Sequence, residues 1–228
     1  MENTSSAYKK NPGYIAFFDL DRTISGAISG RALARAAVKK GLMKKSDLLN
    51  ALYLGFAYRL GMADPAGIME KMTGWVKDIP LNELTGLCLN VNREVMIPAI
   101  HGEIYSELEF HKASGSRTVI LSSTLAPVCR GIADYLKMDD IICSELEVKN
   151  DLLTGRATGK LCYGDEKVRR LKEYCEKNNS TPAQAWYYAD AFIDVPALSM
   201  VGNPVCVNPD RKLKRIALQK GWRIYYWK

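Results

Sequence analysis

Two aspartates directly follow an apolar run near the beginning of the 228-residue chain. Residues 14–18 read Tyr-Ile-Ala-Phe-Phe, and Asp19 and Asp21 come next. The run is typical of a buried strand, and side chains at positions i and i+2 of an extended backbone point the same way. Two close carboxylates repel each other and need a cation or a shared proton. A hard divalent cation bound through oxygen satisfies both, and one carboxylate could then attack phosphorus while the other transfers a proton.

Further polar residues follow along the chain, each beside a predicted strand or helix. Ser122 ends a second apolar run, Lys167 stands near the start of a helical pattern, and Asp190 and Asp194 follow a third apolar run. Together with the D-x-D-x-T signature at 19–23, this order resembles motifs I to IV of the haloacid dehalogenase (HAD) superfamily of phosphatases. The resemblance covers nearly the whole chain and is closest to the phosphoserine-phosphatase-like branch, which has a helical cap after motif I.

The resemblance implies catalytic roles for four residues. Asp19 would be the nucleophile that forms an aspartyl-phosphate, and Asp21 would be the general acid and base. Ser122 would donate a hydrogen bond to a phosphoryl oxygen. Lys167 would neutralise the negative charge that develops on the transferred group.

The resemblance also implies a Mg²⁺ site. Its ligands would be Asp19, Asp190 and the backbone carbonyl of Asp21, while Asp194 would bind through water or would instead hold Lys167. The sequence leaves these two roles of Asp194 open. Three protein ligands suit Mg²⁺, because this ion keeps several waters and also binds phosphate oxygen.

Four further positions are predicted to lie at the substrate. Thr23 would orient the first loop, and Ser123 and Thr124 would cradle phosphate at a helix start, cap that helix, or do both. Ile28 stands nine residues after Asp19, where phosphoserine phosphatases carry a glutamate that recognises the substrate ammonium. Since a buried ammonium without a carboxylate is costly to desolvate, the sequence predicts that phosphoserine is not the preferred substrate.

The elements that must position these residues alternate between strand and helix. This alternation predicts an α/β fold, with a Rossmann-like, mainly parallel sheet flanked by helices. A β-hairpin is predicted around 150–151, and helices are predicted at 127–137 and 166–177. Strands are predicted at 14–19, 117–122, 139–143, 185–189 and 204–207.

The stretch 29–96 shows helical patterns and no convincing strand, so it is predicted to be an inserted all-helical cap domain. The catalytic core then comprises 1–28 and 97–228. Within the cap, residues 51–62 are apolar nearly all round. Such a segment would be buried in the cap, line an apolar cleft or form a dimer contact. The oligomeric state stays open.

Composition narrows the class of protein. A content of 47% hydrophobic and 25% charged residues fits a soluble globular protein. No apolar run reaches the ~20 residues of a membrane-spanning helix. The N-terminus lacks a basic signal region and the six cysteines form no C-x-x-C pair, which predicts reduced thiols and a cytoplasmic location. His101 and His111 lack ligand-like neighbours, which argues against a zinc site or a Ser-His triad.

Positive charge is concentrated at the C-terminus. The net charge is +7, and residues 210–228 contain seven Lys or Arg and one Asp, which gives 7 − 1 = +6. This basic, aromatic stretch could contact an anionic membrane or nucleic acid. The commoner structure, which we favour, is a final core helix with a solvated basic face, followed by a short edge strand. No dedicated nucleic-acid site is expected.

These residues predict a Mg²⁺-dependent phosphomonoesterase that hydrolyses a small organic phosphate through an aspartyl-phosphate. A phosphotransferase using the same intermediate is an alternative, because another alcohol could replace water as the acceptor. A non-enzymatic protein that binds through the basic C-terminus is a further alternative.

Overall fold

A computed structural model describes residues 13–49 and 73–228 of the protein. Its strands are β1 (Ile15–Phe18), β2 (Arg117–Leu125), β3 (Asp140–Ser144), β4 (Leu146–Lys149), β5 (Leu152–Ala157), β6 (Trp186–Ala189), β7 (Asn203–Val207) and β8 (Arg223–Tyr225). Six of them form one sheet in the order β3-β2-β1-β6-β7-β8, in which every neighbouring pair is parallel. The predicted Rossmann-like α/β fold is thereby confirmed.

Helices connect these strands and cover the sheet. They are α1 (Ser29–Lys39), α2 (Leu81–Val91), α3 (Glu103–Ala113), α4 (Ala126–Leu136), α5 (Asp165–Lys177), α6 (Val195–Met200) and α7 (Arg211–Lys220). Residues 45–49 are also helical, short 3₁₀ turns occupy Gly74–Val76, Pro182–Gln184 and Phe192–Asp194, and a π-helical turn occupies Asn92–Met96. The helix predicted at 127–137 is shifted by one residue at both ends relative to α4, and the helix predicted at 166–177 begins one residue later than α5.

Strand β1 lies at the centre of the sheet, and all four of its residues are buried. Both faces of the sheet are covered, which explains why the strand is continuously apolar and does not alternate. Phe17 and Tyr187 belong to the hydrophobic core on one face, and Phe18 and Tyr188 belong to the core on the other. The neighbouring residues Tyr187 and Tyr188 therefore point to opposite faces of β6.

The predicted hairpin is formed by β4 and β5. Its turn residues Asn150 and Asp151 have φ values of 50° and 64°, as a two-residue hairpin turn of the mirror-image type requires. The hairpin also pairs with the chain at 78–81, where the amide of Asp78 donates to the carbonyl of Leu153 at 2.8 Å. The division into a core and a cap at 29–96 stays a prediction, and the apolar segment 51–62 lies outside the described residues.

The C-terminal region forms a core helix and an edge strand, as expected. Helix α7 is capped by Asp210, which accepts a hydrogen bond from the amide of Leu213 at 2.8 Å, and the helix ends at Gly221 with φ 66°. Leu213 and Ala217 are buried against the sheet, and β8 lies at its edge. In the part of the chain that the structure describes, no helix is long and apolar enough to cross a membrane.

The cysteines and histidines do not form a site of their own. All six cysteines are free and buried. His111 is enclosed between the hydroxyl groups of Tyr14 at 3.0 Å and Tyr188 at 2.9 Å, and burial lowers its pKa to about 4. His111 is therefore a neutral residue of the core, which fits its predicted structural role.

Candidate active site

The carboxyl ends of three adjacent strands bring the sequence-predicted residues to one edge of the sheet. Asp19 follows β1, Ser122 lies in the last part of β2, and Asp190 follows β6. All three residues are buried. This edge is where open α/β sheets form ligand crevices, because loops diverge there on the two sides of the sheet. Residues separated by 171 positions, from Asp19 to Asp190, thus come together.

Lys167 is the centre of charge in this site. It lies in the first turn of α5 and is only 4% exposed. Its ammonium donates to Oδ1 of Asp19 at 3.0 Å, to Oδ1 of Asp194 at 2.7 Å and to the hydroxyl of Tyr187 at 3.0 Å. Burial alone would lower the pKa of Lys167, but the two carboxylates outweigh burial and hold that pKa well above its usual range. The lysine is therefore a fixed positive charge.

Opposing effects act on the pKa of Asp19. Burial raises the pKa of its carboxyl group and the nearby Asp194 raises it further, while Lys167 and a hydrogen bond from Ser122 lower it. A carboxylate that a lysine and a serine orient in a buried cleft is suited to nucleophilic attack. The structure thus brings both Ser122 and Lys167 into contact with the carboxylate of Asp19.

Asp21 is oriented by Ser29, which the sequence analysis did not identify. Oδ1 of Asp21 accepts from the amide of Ser29 at 2.9 Å, and Oδ2 accepts from its hydroxyl at 2.8 Å. Burial of the carboxyl group, opposed by these hydrogen bonds, raises the pKa of Asp21 to about 7. A group with this pKa can both give and take a proton near neutral pH. The signal that could have revealed Ser29 is a serine at a helix start just after the first loop.

Asp190 and Asp19 are the carboxylates most suited to hold a metal. Burial and then repulsion from Asp19 raise the pKa of Asp190 to about 8, although Nε of Arg22 lies 3.5 Å from its Oδ2. A pair of buried carboxylates in which Asp19 raises the pKa of Asp190 forms a donor set that a hard cation would stabilise. Among the described residues, the backbone carbonyl oxygen of Asp21 accepts no hydrogen bond, so it could supply a third oxygen.

The carboxylates of Asp21 and Asp194 have other partners; the predicted ligand atom of Asp21 is its backbone carbonyl oxygen. The carboxylate of Asp21 binds Ser29, and that of Asp194 binds Lys167 and Tyr187. Within residues 13–49 and 73–228, no three His, Cys, Asp or Glu side chains form a metal-binding group by themselves. Of the two roles left open for Asp194, the contacts favour the one in which it holds Lys167.

Tyr187 is a second residue that sequence reasoning missed. Its hydroxyl contacts Lys167 and donates to Oδ1 of Asp194 at 2.7 Å. Burial raises the pKa of Tyr187 well above its usual value, so the hydroxyl stays protonated and remains a donor. The sequence signal is a tyrosine inside a fully buried strand, since such a hydroxyl needs a polar partner.

The four residues predicted to contact the substrate differ in their burial and in their hydrogen-bond partners. Thr23 is fully buried, and its Oγ1 has no hydrogen-bond partner among the described residues. Thr124 is buried and contacts Ser29 Oγ at 2.8 Å, while Ser123 is half-buried. Ile28 is the half-buried residue directly before α1.

The predicted capping role of Ser123 and Thr124 is wrong. Helix α4 begins at Ala126, and the residue at its N-cap position is Leu125, so no side chain caps the helix. Strand β2 continues to Leu125, three residues beyond the predicted end, which keeps Ser123 and Thr124 in the strand. Thr124 therefore serves the hydrogen-bond network around Ser29.

Comparison with known proteins agrees with this geometry. The family description "haloacid dehalogenase-like hydrolase" matches residues 16–199. The "Inhibition of morphological differentiation protein" of Streptomyces azureus is 30% identical over 93% of this chain and 78% of its own length. A histidinol-phosphatase of Neisseria meningitidis is 26% identical over 94% of this chain and 99% of its own.

A solved phosphoserine phosphatase, captured as an analogue of its phospho-aspartyl intermediate, has the same fold. Its TM-score is 0.71 at 15% identity, over 95% of this chain and 94% of that one. At this identity the likeness concerns the fold. The family match and the sequence relatives confirm the predicted enzyme class. The chain belongs to the haloacid dehalogenase-like hydrolase family and is a phosphatase-type enzyme.

Proposed function

We propose that the protein is a Mg²⁺-dependent phosphomonoesterase that works through an aspartyl-phosphate on Asp19. The observation that carries this proposal is the buried Lys167 ammonium, which Asp19, Asp194 and Tyr187 share at 2.7–3.0 Å. Such a cation orients the carboxylate and offers compensation for the charge of a phosphoryl group. Among phosphatase-type hydrolases, this arrangement favours covalent catalysis by Asp19.

In the first step, a carboxylate oxygen of Asp19 attacks phosphorus, and the bond from phosphorus to the leaving oxygen breaks. The protonated fraction of Asp21 gives its proton to that oxygen, so the product leaves as an alcohol. In the second step, Asp21 takes a proton from water as the water attacks the aspartyl-phosphate. Orthophosphate leaves and the Asp19 carboxylate is restored. A pKa of about 7 suits Asp21 for both transfers.

Lys167 and Ser122 act on the transferred group in both steps. Lys167 supplies a permanent positive charge, and Ser122 supplies a hydroxyl that already contacts Asp19. Asp19, Asp190 and the carbonyl of Asp21 would hold Mg²⁺. When bound, this ion supplies charge neutralisation for phosphate oxygens.

For the substrate, we propose a small organic phosphate whose leaving group is neutral or apolar near the ester. Ile28 is apolar, and it directly precedes Ser29, the partner of Asp21. No carboxylate stands at this position to pair with a substrate ammonium. We also propose that residues 29–96 form the cap over this site and that 1–28 and 97–228 form the core. The helices at 29–39, 45–49 and 81–91 support this division.

The test is a turnover screen on phosphorylated metabolites that includes phosphoserine, histidinol phosphate and neutral or lipid-derived monoesters. Wild type and Asp19→Asn are compared, each with Mg²⁺ and with excess EDTA. Turnover should require both Asp19 and Mg²⁺, and phosphoserine should not be the fastest substrate. Full activity of Asp19→Asn would overturn the covalent mechanism, and fastest hydrolysis of phosphoserine would overturn the role of Ile28. Adding alcohol acceptors and analysing products distinguishes hydrolysis from transfer.

A further inference from the structure

Helix α7 and the strand after it carry cations that form no ion pair with any carboxylate of the described residues. Seven Lys or Arg side chains lie between 211 and 228. In the described parts of the chain, none of these seven forms an ion pair, whereas arginines elsewhere do. Four of the seven instead lie over aromatic rings. Asp210, the residue directly before these cations, caps the helix with its carboxylate.

An exposed apolar residue stands among these cations. Leu218 is 67% exposed, and Arg211, Lys214 and Arg215 precede it by seven, four and three residues, which places all four on one side of the helix. The opposite side buries Leu213 and Ala217 and is fixed to the sheet. In the part of the chain that the structure describes, this outward side is therefore exposed to solvent.

Tyr226 extends the same surface beyond the helix. Its side chain is 60% exposed, and Nζ of Lys214 lies 5.5 Å from the centre of its ring. We define the basic face as Arg211, Lys214, Arg215, Leu218 and Tyr226. Its composition is cationic, with one aliphatic and one aromatic side chain projecting from it.

We propose that the basic face binds peripherally to the surface of an anionic phospholipid bilayer. Lysine and arginine are attracted to anionic headgroups, and a leucine and a tyrosine can enter the boundary between headgroups and acyl chains. A nucleic acid would satisfy the cations equally well, but its phosphate backbone offers Leu218 nothing. The projecting leucine therefore favours the bilayer over other polyanions.

Hydrogen bonds connect the start of α7, which carries the basic face, to the catalytic edge. The amide of Asp210 donates to the carbonyl of Asp190 at 2.8 Å, and Oδ2 of Asp210 accepts from the amide of Phe192 at 2.9 Å. The first turn of α7 is thus attached to the loop that carries Asp190. Binding through this face would hold the catalytic edge at a fixed orientation to the bilayer. The proposal does not depend on the substrate or on phosphatase turnover.

The experiment measures cosedimentation of the full chain with lipid vesicles. Vesicles of phosphatidylcholine alone are compared with vesicles that also contain phosphatidylglycerol, at low and high salt. We expect binding only to the anionic vesicles and weaker binding at high salt. Arg211→Gln with Arg215→Gln should weaken binding about 25-fold, at about five-fold per cation. Leu218→Ser should weaken it about ten-fold.

The matched control removes the same charge from another helix. Lys172→Gln with Lys177→Gln takes two exposed cations from α5 and should leave binding within about two-fold of wild type. An equal loss in this control would show that net charge alone drives binding and would overturn the proposal. Absence of binding to anionic vesicles would overturn it as well. Unchanged binding of Leu218→Ser, with equal binding to duplex DNA, would assign the face to polyanions in general.

Discussion

Helices α5 and α7 pack on the same face of the sheet, yet they handle positive charge in opposite ways. Each contains five Lys or Arg residues, but α5 also contains four Asp or Glu, so its net charge is 5 − 4 = +1, while that of α7 is +5. In α5, Arg169 and Arg170 both bind Glu166, and Lys167 is buried between two carboxylates. In α7, no cation has such a partner among the described residues. The position of counter-charges, and not the number of cations, decides whether a basic helix builds a site or presents charge outward.

The largest expected effect comes from removing the buried positive charge of Lys167 in α5. Lys167→Met should lower kcat by about 10²–10³, because a preorganised positive charge at the phosphoryl group is lost. The variant also leaves Asp19 and Asp194 buried without a cation, so its Tm should fall. Turnover of a generic aryl phosphate and a thermal scan measure the two effects.

The control for that change is Lys172→Met on the exposed side of the same helix. It should keep turnover and Tm near wild type. If Lys172→Met lost as much activity as Lys167→Met, the effect would reflect damage to the helix and the assigned role of Lys167 would be wrong.

The next effect concerns the hydroxyl that supports Lys167. Tyr187→Phe should lower kcat about ten-fold, since it removes a hydrogen bond to Asp194 and one from Lys167, both of them charged groups. Tyr188→Phe is a matched control, because its hydroxyl contacts Glu107 and His111 on the other face of the sheet. Both variants should lose similar stability, and only Tyr187→Phe should lose kcat. Equal losses of kcat would make Tyr187 a purely structural residue.

Sequence reasoning reached the fold and most of the candidate site because strand ends and motif order are local signals. Asp19, Ser122, Lys167 and Asp190 each follow or begin an element that the apolar pattern reveals. Ser29 could not be found that way, because its importance comes from Asp21, eight residues earlier across a loop whose path is set by tertiary packing.

Tyr187 escaped for a related reason. A tyrosine in a buried strand looks like a core residue, and only the placement of α5 above β6 brings Lys167 to its hydroxyl. The capping role predicted for Thr124 failed because β2 continues to Leu125 with a shifted register to β3. The sequence could not predict that the cations of α7 form no ion pair with the described residues, since any distant acidic element could have paired with them.

A smaller effect distinguishes the two helices by how the stability of the protein depends on pH. Arg169 and Arg170 hold the pKa of Glu166 at about 2, below its ordinary 4.5, through hydrogen bonds that outweigh its partial burial. A depressed carboxyl pKa adds stability above the unfolded pKa, and that stability is lost as pH falls from about 4.5 toward 2. Glu166→Gln should therefore cost about 1 kcal/mol at neutral pH and progressively less on acidification.

Denaturant unfolding of wild type and Glu166→Gln across this pH range measures the difference. Helix α7 offers the contrast, because it contains no Asp or Glu, so Arg211→Gln should show no such pH-dependent difference in that window. A cost of Glu166→Gln that stays constant from pH 7 to acid would mean that its pairs with the arginines do not stabilise the folded state.

The smallest effect tests whether removing one positive charge changes the stability of the protein in opposite directions in the two helices. Arg211 and Arg215 are like charges four residues apart and have no ion-pair partner among residues 13–49 and 73–228, so Arg211→Gln should stabilise the protein by about 0.2–0.5 kcal/mol at low salt. On α5, Arg169→Gln should lower stability instead, because it breaks pairs with Glu166 and Glu173. Both differences should shrink as salt rises, since these side chains are exposed. Denaturant midpoints of wild type and both variants, measured at two ionic strengths, test these stability changes. A destabilising Arg211→Gln would reveal a partner for that cation and remove the distinction between α5 and α7.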